Sequence, residues 1–181
     1  MRAGRLFAVV GPSGAGKDTL IAAAAEARPD LVVARRVITR PESAGGEDFT
    51  GVDVARFAAM QASGAFALVW QAHGLSYGIP ASIEAALLAG RDVVFNGSRA
   101  ALLQAALRFP AMKVIVVTAS PEVLARRLAG RGRESAADIA QRLARSVFAL
   151  PGGIAATEVP NGGTLAEGTA RFLAALQPPS G

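Results

Sequence analysis

The stretch Gly11-Pro12-Ser13-Gly14-Ala15-Gly16-Lys17-Asp18-Thr19 constrains this chain more than any other. It follows the apolar run Leu6-Phe7-Ala8-Val9-Val10 and precedes an alanine-rich segment of strong helix formers. Glycines at this spacing let successive backbone N–H groups point inward, and the positive end of the following helix reinforces them. A strand, such a loop and a helix make a cradle for phosphate, with Lys17 reaching the outer phosphates of a nucleotide as a point charge. The residues from Gly11 to Thr19 are therefore the candidate contacts for ATP.

The loop fits G-x-x-x-x-G-K-[ST] at every position but the last, where Asp18 replaces the hydroxyl that normally meets magnesium. Thr19 lies one position too late to substitute in simple register. Magnesium takes oxygen ligands, including one or two carboxylates, so Asp18 is the candidate metal residue, acting directly or through water. A carboxylate beside a triphosphate repels it unless a cation intervenes, and the substitution predicts closely held Mg²⁺.

Beyond the loop, short apolar runs at 6–10, 31–34, 93–95, 114–117 and 154–159 read as buried strands. Segments 19–27, 81–89, 99–109, 121–129, 137–147 and 165–176 lack interior proline and read as helices. Strands alternating with helices predict an α/β fold, a mostly parallel sheet covered on both faces. At 181 residues the chain suits one domain. Its expected parts are a core over 1–38, 79–129 and 136–177, a glycine- and charge-rich insertion over 39–78, and a short lid over 130–135. The insertion is expected to contain a helix near 53–61 and a strand near 66–70. The tail 178–181 is expected to fray.

With 51% hydrophobic and 18% charged residues, the chain is too apolar for disorder. Its apolar runs are too short to span a bilayer. The N-terminal apolar run is brief and enters the glycine loop directly, so it reads as a strand rather than a secretion signal. The absence of cysteine excludes disulfides and thiolate metal sites and fits a cytoplasmic setting. The net charge of +5 is carried almost entirely by arginine and suits phosphorylated small molecules. No basic run interleaved with aromatics points to nucleic acid.

Further segments, in order, resemble the guanylate kinase family: ITRP at 38–41, GVD at 51–53, HGLSYGIP at 73–80 and LARRLAGRGRE at 124–134. The resemblance covers nearly the whole chain. It implies a phosphate-loop fold of guanylate kinase type with a substrate-binding insertion and an arginine lid. It also implies that Arg40 and Tyr77 hold the acceptor's phosphate, although a packed aromatic remains the rival reading of Tyr77. The family's base-reading acids fall at Leu68, Asn96 and Ser98, and two more of its phosphate ligands fall at Ser43 and Val54. A site that has lost its hydrogen-bond acceptors loses discrimination for the base. Guanine recognition is therefore expected to be gone, leaving Asn96 and Ser98 as acceptor-side positions.

Arg99 brings a positive charge near those positions, either for an anionic group or for solvation at a helix start. GPSGAGKD together with VITRP, HGLSYGI, NGSRA and RGRE resembles a branch of the family that phosphorylates a small phosphorylated sugar without a base. The other readings are a nucleoside monophosphate kinase with altered base choice, or a binding module that has lost catalysis.

Lys17, Arg127, Arg131 and Arg133 are the candidate catalytic cations. Arg126 and Arg127 point about 100° apart on a helix, so at least one of them should be solvated. Arg142 joins the acceptor-side candidates, and Asn161, in a turn beyond the last strand, is a further nucleotide candidate. His73 reads as structural or at the pocket edge. Either a monomer or a homodimer fits.

Overall fold

The computed structural model describes residues 3–132, 135–144 and 149–177. In chain order its elements are β1 (Leu6–Val10), α1 (Lys17–Ala27), β2 (Val32–Val33), β3 (Val37–Ile38), a 3-10 turn (Glu42–Ala44), β4 (Thr50–Gly51), α2 (Val54–Ala62), β5 (Phe66–Ala72) and β6 (Leu75–Pro80). They continue with α3 (Ser82–Leu88), β7 (Val93–Asn96), α4 (Arg99–Arg108), β8 (Lys113–Thr118), α5 (Pro121–Gly130), α6 (Ala136–Ala144), β9 (Thr157–Pro160) and α7 (Leu165–Ala175).

Every residue of β1 is buried, as befits a strand covered on both faces. It occupies the middle of a five-stranded sheet ordered β2-β7-β1-β8-β9, in which all neighbours run parallel. Alternation divides its side chains between two cores. Phe7 and Val9 pack with Leu20, Ile21 and Ala24 of α1, Leu124 of α5 and Phe172 of α7. Leu6, Ala8 and Val10 face the other way, toward Ile83 of α3 and Leu102 of α4. The strand thus ends at Val10 with its direction fixed from both sides, and the glycine loop begins at once.

Arg5 anchors the start of the same strand. Its guanidinium donates to Asp92 at 2.5 and 3.2 Å and to the Leu176 carbonyl at 2.6 Å, tying the beginning of β7 to the end of the last helix. Burial alone would raise the Asp92 pKa, but the hydrogen bonds from Arg5 and Arg28 outweigh it and hold the carboxyl below its usual range.

A second sheet, ordered β4-β3-β6-β5, spans Val37 to Pro80. Its β5 and β6 form an antiparallel hairpin closed by His73 and Gly74, both at positive φ. Leu68, Trp70 and Ile79 carry its inner face into the core shared with α4. Sequence patterning anticipates α2 and β5 but misses β3, β4 and β6. Two-residue strands have no periodicity of their own, and the glycine and polar residues of 75–80 hide a strand that is stabilised by pairing on both sides.

The last strand also begins later than its apolar run, at Thr157, because Ile154 instead packs against the core beneath the second sheet. Among the described residues no helix is long and apolar enough to cross a membrane.

Candidate active site

The glycine loop leaves β1 so close to β8 that a Cβ on Gly11 would lie 2.2 Å from the Val117 carbonyl oxygen. Gly16 caps α1 at φ 94°, a left-handed conformation that glycine adopts without strain. Lys17, the first residue of that helix, folds back over the loop, and its ammonium donates to the carbonyls of Gly11 at 2.9 Å and Pro12 at 3.2 Å. Burial lowers its pKa to about 8, aided by Arg36 and Arg131 and opposed by Asp18 and Glu47.

Asp18 meets the end of β7. Its Oδ1 accepts a hydrogen bond from the Asn96 amide, and Asn96 stands opposite Val9 in the parallel register. One carboxylate and one amide therefore sit side by side where the loop and the strand converge. Among the described residues no group of three or more His, Asp or Glu side chains could cage a metal. A single carboxylate suits Mg²⁺, which keeps waters and takes its other ligands from substrate phosphates.

Two residues brace the loop from behind. Asn161, buried at the end of β9, donates to the Ala15 carbonyl at 2.8 Å. Arg127 of α5 donates to the carbonyls of Gly14 at 3.2 Å, Ala15 at 3.1 Å and Asn161 at 2.6 Å. Neither lines the cavity described below. Arg127 is thus engaged with backbone beneath the loop, whereas its neighbour Arg126 is exposed. Gly168 in α7 leaves room for this arrangement, since a Cβ there would lie 2.2 Å from Asn161 Oδ1.

A cavity of about 710 Å³ runs from the loop to the second sheet. Gly11, Ser13, Gly14, Gly16, Lys17, Asp18 and Thr19 form one end, with Arg131 beside them, while Arg40, Tyr77, Ser98 and Arg99 line the rest and Asn96, against Asp18, joins the two. Pro12 and Ala15 belong to the loop but do not line the cavity. Tyr77 stacks on its cross-strand partner Trp70, with centroids 5.3 Å apart and planes 5° from parallel. Arg40 lies 4.4 Å over the Phe49 ring and donates to the Gly45 carbonyl at 3.2 Å. Arg99 occupies the first turn of α4, where the helix dipole favours negative charge, so helix stability does not account for its placement.

The remaining sequence candidates lie elsewhere. Leu68 is packed in the core at 2% exposure, so no polar reader of a base stands there. Val54 is exposed at 74% and Ser43 lies in the 3-10 turn. Arg133 falls outside the described residues, as do 145–148 and the tail 178–181. For Arg142 only the backbone, within α6, is described. His73 sits in the hairpin turn at the cavity edge.

Sequence reasoning passed over Arg36 and Glu47, which also line the cavity. The Arg36 guanidinium donates twice to Glu47 Oε2, through Nε at 2.9 Å and through Nη2, and lies 5.3 Å over the Tyr77 ring. A signal was present in ARRVITRP. Period-two alternation sets Arg36 on the same side of the extended segment as Arg40.

Comparison with known proteins places this geometry. A family profile described as AAA domain matches residues 6–149. The guanylate kinase of Anaplasma phagocytophilum superposes with a TM-score of 0.71 at 20% identity, over 97% of this chain and 85% of that one. A gluconokinase from Sinorhizobium meliloti 1021 gives 0.56, also at 20% identity, over 97% and 93%. Fold and loop together define a phosphate-loop protein with the guanylate kinase fold.

At the level of sequence, the ribose 1,5-bisphosphate phosphokinase PhnN of Rhizobium etli (strain CIAT 652) is 52% identical over 96% of this chain and 89% of its own length. That of Ruegeria sp. (strain TM1040) is 51% identical over 96% and 92%. A bifunctional ribose 1,5-bisphosphokinase-thymidine phosphorylase of Cupriavidus necator is 50% identical over 96% of this chain, which covers 29% of that larger protein. The chain belongs to the ribose 1,5-bisphosphate phosphokinase family.

Proposed function

We propose that this protein transfers the γ-phosphoryl group of ATP to ribose 1,5-bisphosphate, giving 5-phospho-α-D-ribose 1-diphosphate and ADP. The observation that carries the reading is the single cavity with a phosphate loop at one end and Arg40, Tyr77 and Arg99 at the other, and with buried Leu68 offering no contact to a base. High identity to the relatives over nearly their whole length supports the same acceptor.

The acceptor atom is an oxygen of the anomeric phosphate, already charged at neutral pH, so no strong general base is needed. Its new bond to the γ-phosphorus forms as the bond to the β-γ bridging oxygen breaks, and ADP leaves. Catalysis then rests on alignment and charge neutralisation. The loop amides and Lys17 hold the donor's phosphates. Lys17 exchanges its two loop carbonyls for phosphate oxygens, whose negative charge favours the ammonium form that burial disfavours. Arg131, at the end of α5, and Arg133 supply the closing positive charge. Arg40, Tyr77, Ser98 and Arg99 position the sugar bisphosphate, and Arg142 is a further candidate for it.

Mg²⁺, held at this site, would supply charge neutralisation for the phosphates. Asp18 is the residue to hold it, oriented by the Asn96 amide, which stands where a second carboxylate would crowd the site with negative charge. Arg127 and Asn161 act on the nucleotide by fixing the loop backbone.

The test is incubation with ATP and Mg²⁺ and either ribose 1,5-bisphosphate or a panel of nucleoside monophosphates, with products resolved by ³¹P NMR. A new diphosphate signal with the sugar alone is expected. Turnover of GMP without turnover of the sugar would make the protein a nucleotide kinase, and turnover of neither would leave a binding module.

A further inference from the structure

The cavity wall holds a cation that the foregoing chemistry does not use. Arg36 is 8% exposed and borders the acceptor end. Its guanidinium is fixed from below by Tyr77, which is in turn stacked on Trp70. Its partner is Glu47, whose Oε1 also lies 3.8 Å from Arg40 Nη2. One carboxylate thus lies between two guanidinium groups of the acceptor pocket.

The two sides of this contact are held differently. Arg36 precedes β3 and rests on paired aromatic rings, a contact separate from the one it makes with Glu47. Glu47 follows Gly45 and Gly46, both at positive φ, and a Cβ on Gly46 would meet nothing within 4 Å. The carboxylate is carried by a permissive, open segment, while the guanidinium is built in. A phosphate offers the same planar pair of oxygens to an arginine fork, with more charge.

Resting on the sugar-bisphosphate reading, we infer that Arg36 is an additional acceptor-phosphate ligand, and that Glu47 is an internal anion which occupies Arg36 and Arg40 until the acceptor's phosphate displaces it. Glu47 therefore competes with the substrate. It sets a threshold that weakly charged anions do not pass, and it relieves the repulsion between the two arginines.

Trp70 is the only tryptophan in the chain and belongs to the same stack, so intrinsic fluorescence reports on this end of the cavity. The experiment titrates wild type, Glu47→Gln, Arg36→Lys and Asp48→Asn with inorganic phosphate and with ribose 1,5-bisphosphate, followed by KM measurements for both substrates. Glu47→Gln should tighten both anions about tenfold, the scale of one charge-assisted hydrogen bond. Arg36→Lys, which loses the fork and the ring contact, should weaken them by a similar factor. The KM for ATP should change less than that for the sugar in both.

Asp48→Asn removes the same charge from an exposed neighbour and controls for general electrostatics; it should change affinity less than about twofold. An unchanged or weakened affinity in Glu47→Gln overturns the proposal and leaves Glu47 as a support for Arg36. The same holds if Asp48→Asn tightens binding equally. Should Arg36→Lys fail to fold, Glu47→Gln decides alone. If the wild type does not turn over ribose 1,5-bisphosphate, the proposed reaction falls, while the phosphate titration still upholds or rejects the competition.

Discussion

The two ends of the cavity are built on opposite plans. At the proposed donor end the loop is set by glycines and held from outside by Arg127 and Asn161, leaving its backbone to meet a ligand. At the proposed acceptor end the groups that meet it are side chains, Arg40, Tyr77 and Arg99, carried by the second sheet and a helix start. Backbone recognition fits any nucleotide phosphate chain, whereas side-chain recognition changes with a few substitutions. A fold shared with a guanylate kinase at 20% identity therefore does not by itself fix the acceptor.

The comparison breaks most readily at Lys17. Lys17→Ala should lower kcat by about 10²–10³-fold, the scale for losing a preorganised charge at the transferring phosphoryl group, while circular dichroism remains native. A loss below tenfold would mean that the loop amides suffice. Next in size is the brace. Asn161→Ala leaves the Ala15 carbonyl without that partner and should cost about 1–3 kcal/mol, read as a lower Tm together with a raised KM for ATP. A lower Tm with an unchanged KM for ATP would separate the brace from the loop's function.

On the acceptor side, Arg40→Ala should raise the sugar KM about tenfold, as for one charge-assisted contact, and leave that of ATP alone. Movement of both constants would erase the division between the two ends. The smallest effect is in pH. Because burial lowers the Lys17 pKa to about 8, kcat/KM for ATP should decline as pH rises through that value and the ammonium loses its proton. The sign for stability is opposite. Between about 8 and 10.5 the unfolded chain binds the proton that the native one has released, so this residue's cost to stability is full below about 8 and fades above it.

The donor end was legible in sequence because strand, glycine loop and helix are contiguous, and local spacing carries the geometry. Arg127 shows the limit of that reading. Its motif placed it with the lid arginines, but helical phase turns it under the loop, onto carbonyls that no linear pattern marks. Arg36 and Glu47 show the opposite failure, since a residue before a two-residue strand and another in a glycine turn carry no shared signature. Their meeting depends on how β3 and β4 pair, which is decided by the whole second sheet. Asp18 lies between these cases. Its oddity was visible at once, yet its contact with Asn96 needed the parallel register of β1 and β7.

The position of β1 has a consequence for synthesis. Its two neighbours are β7 and β8, and the bracing Asn161 comes later still, so β1 must wait for strands translated more than 80 residues after it before its ladders can form. On the ribosome the glycine loop emerges well before β7, β8 and Asn161, and its shape should wait for them. Nascent chains should therefore gain nucleotide affinity in one late step rather than gradually, and an interrupted translation product would be unable to sequester ATP.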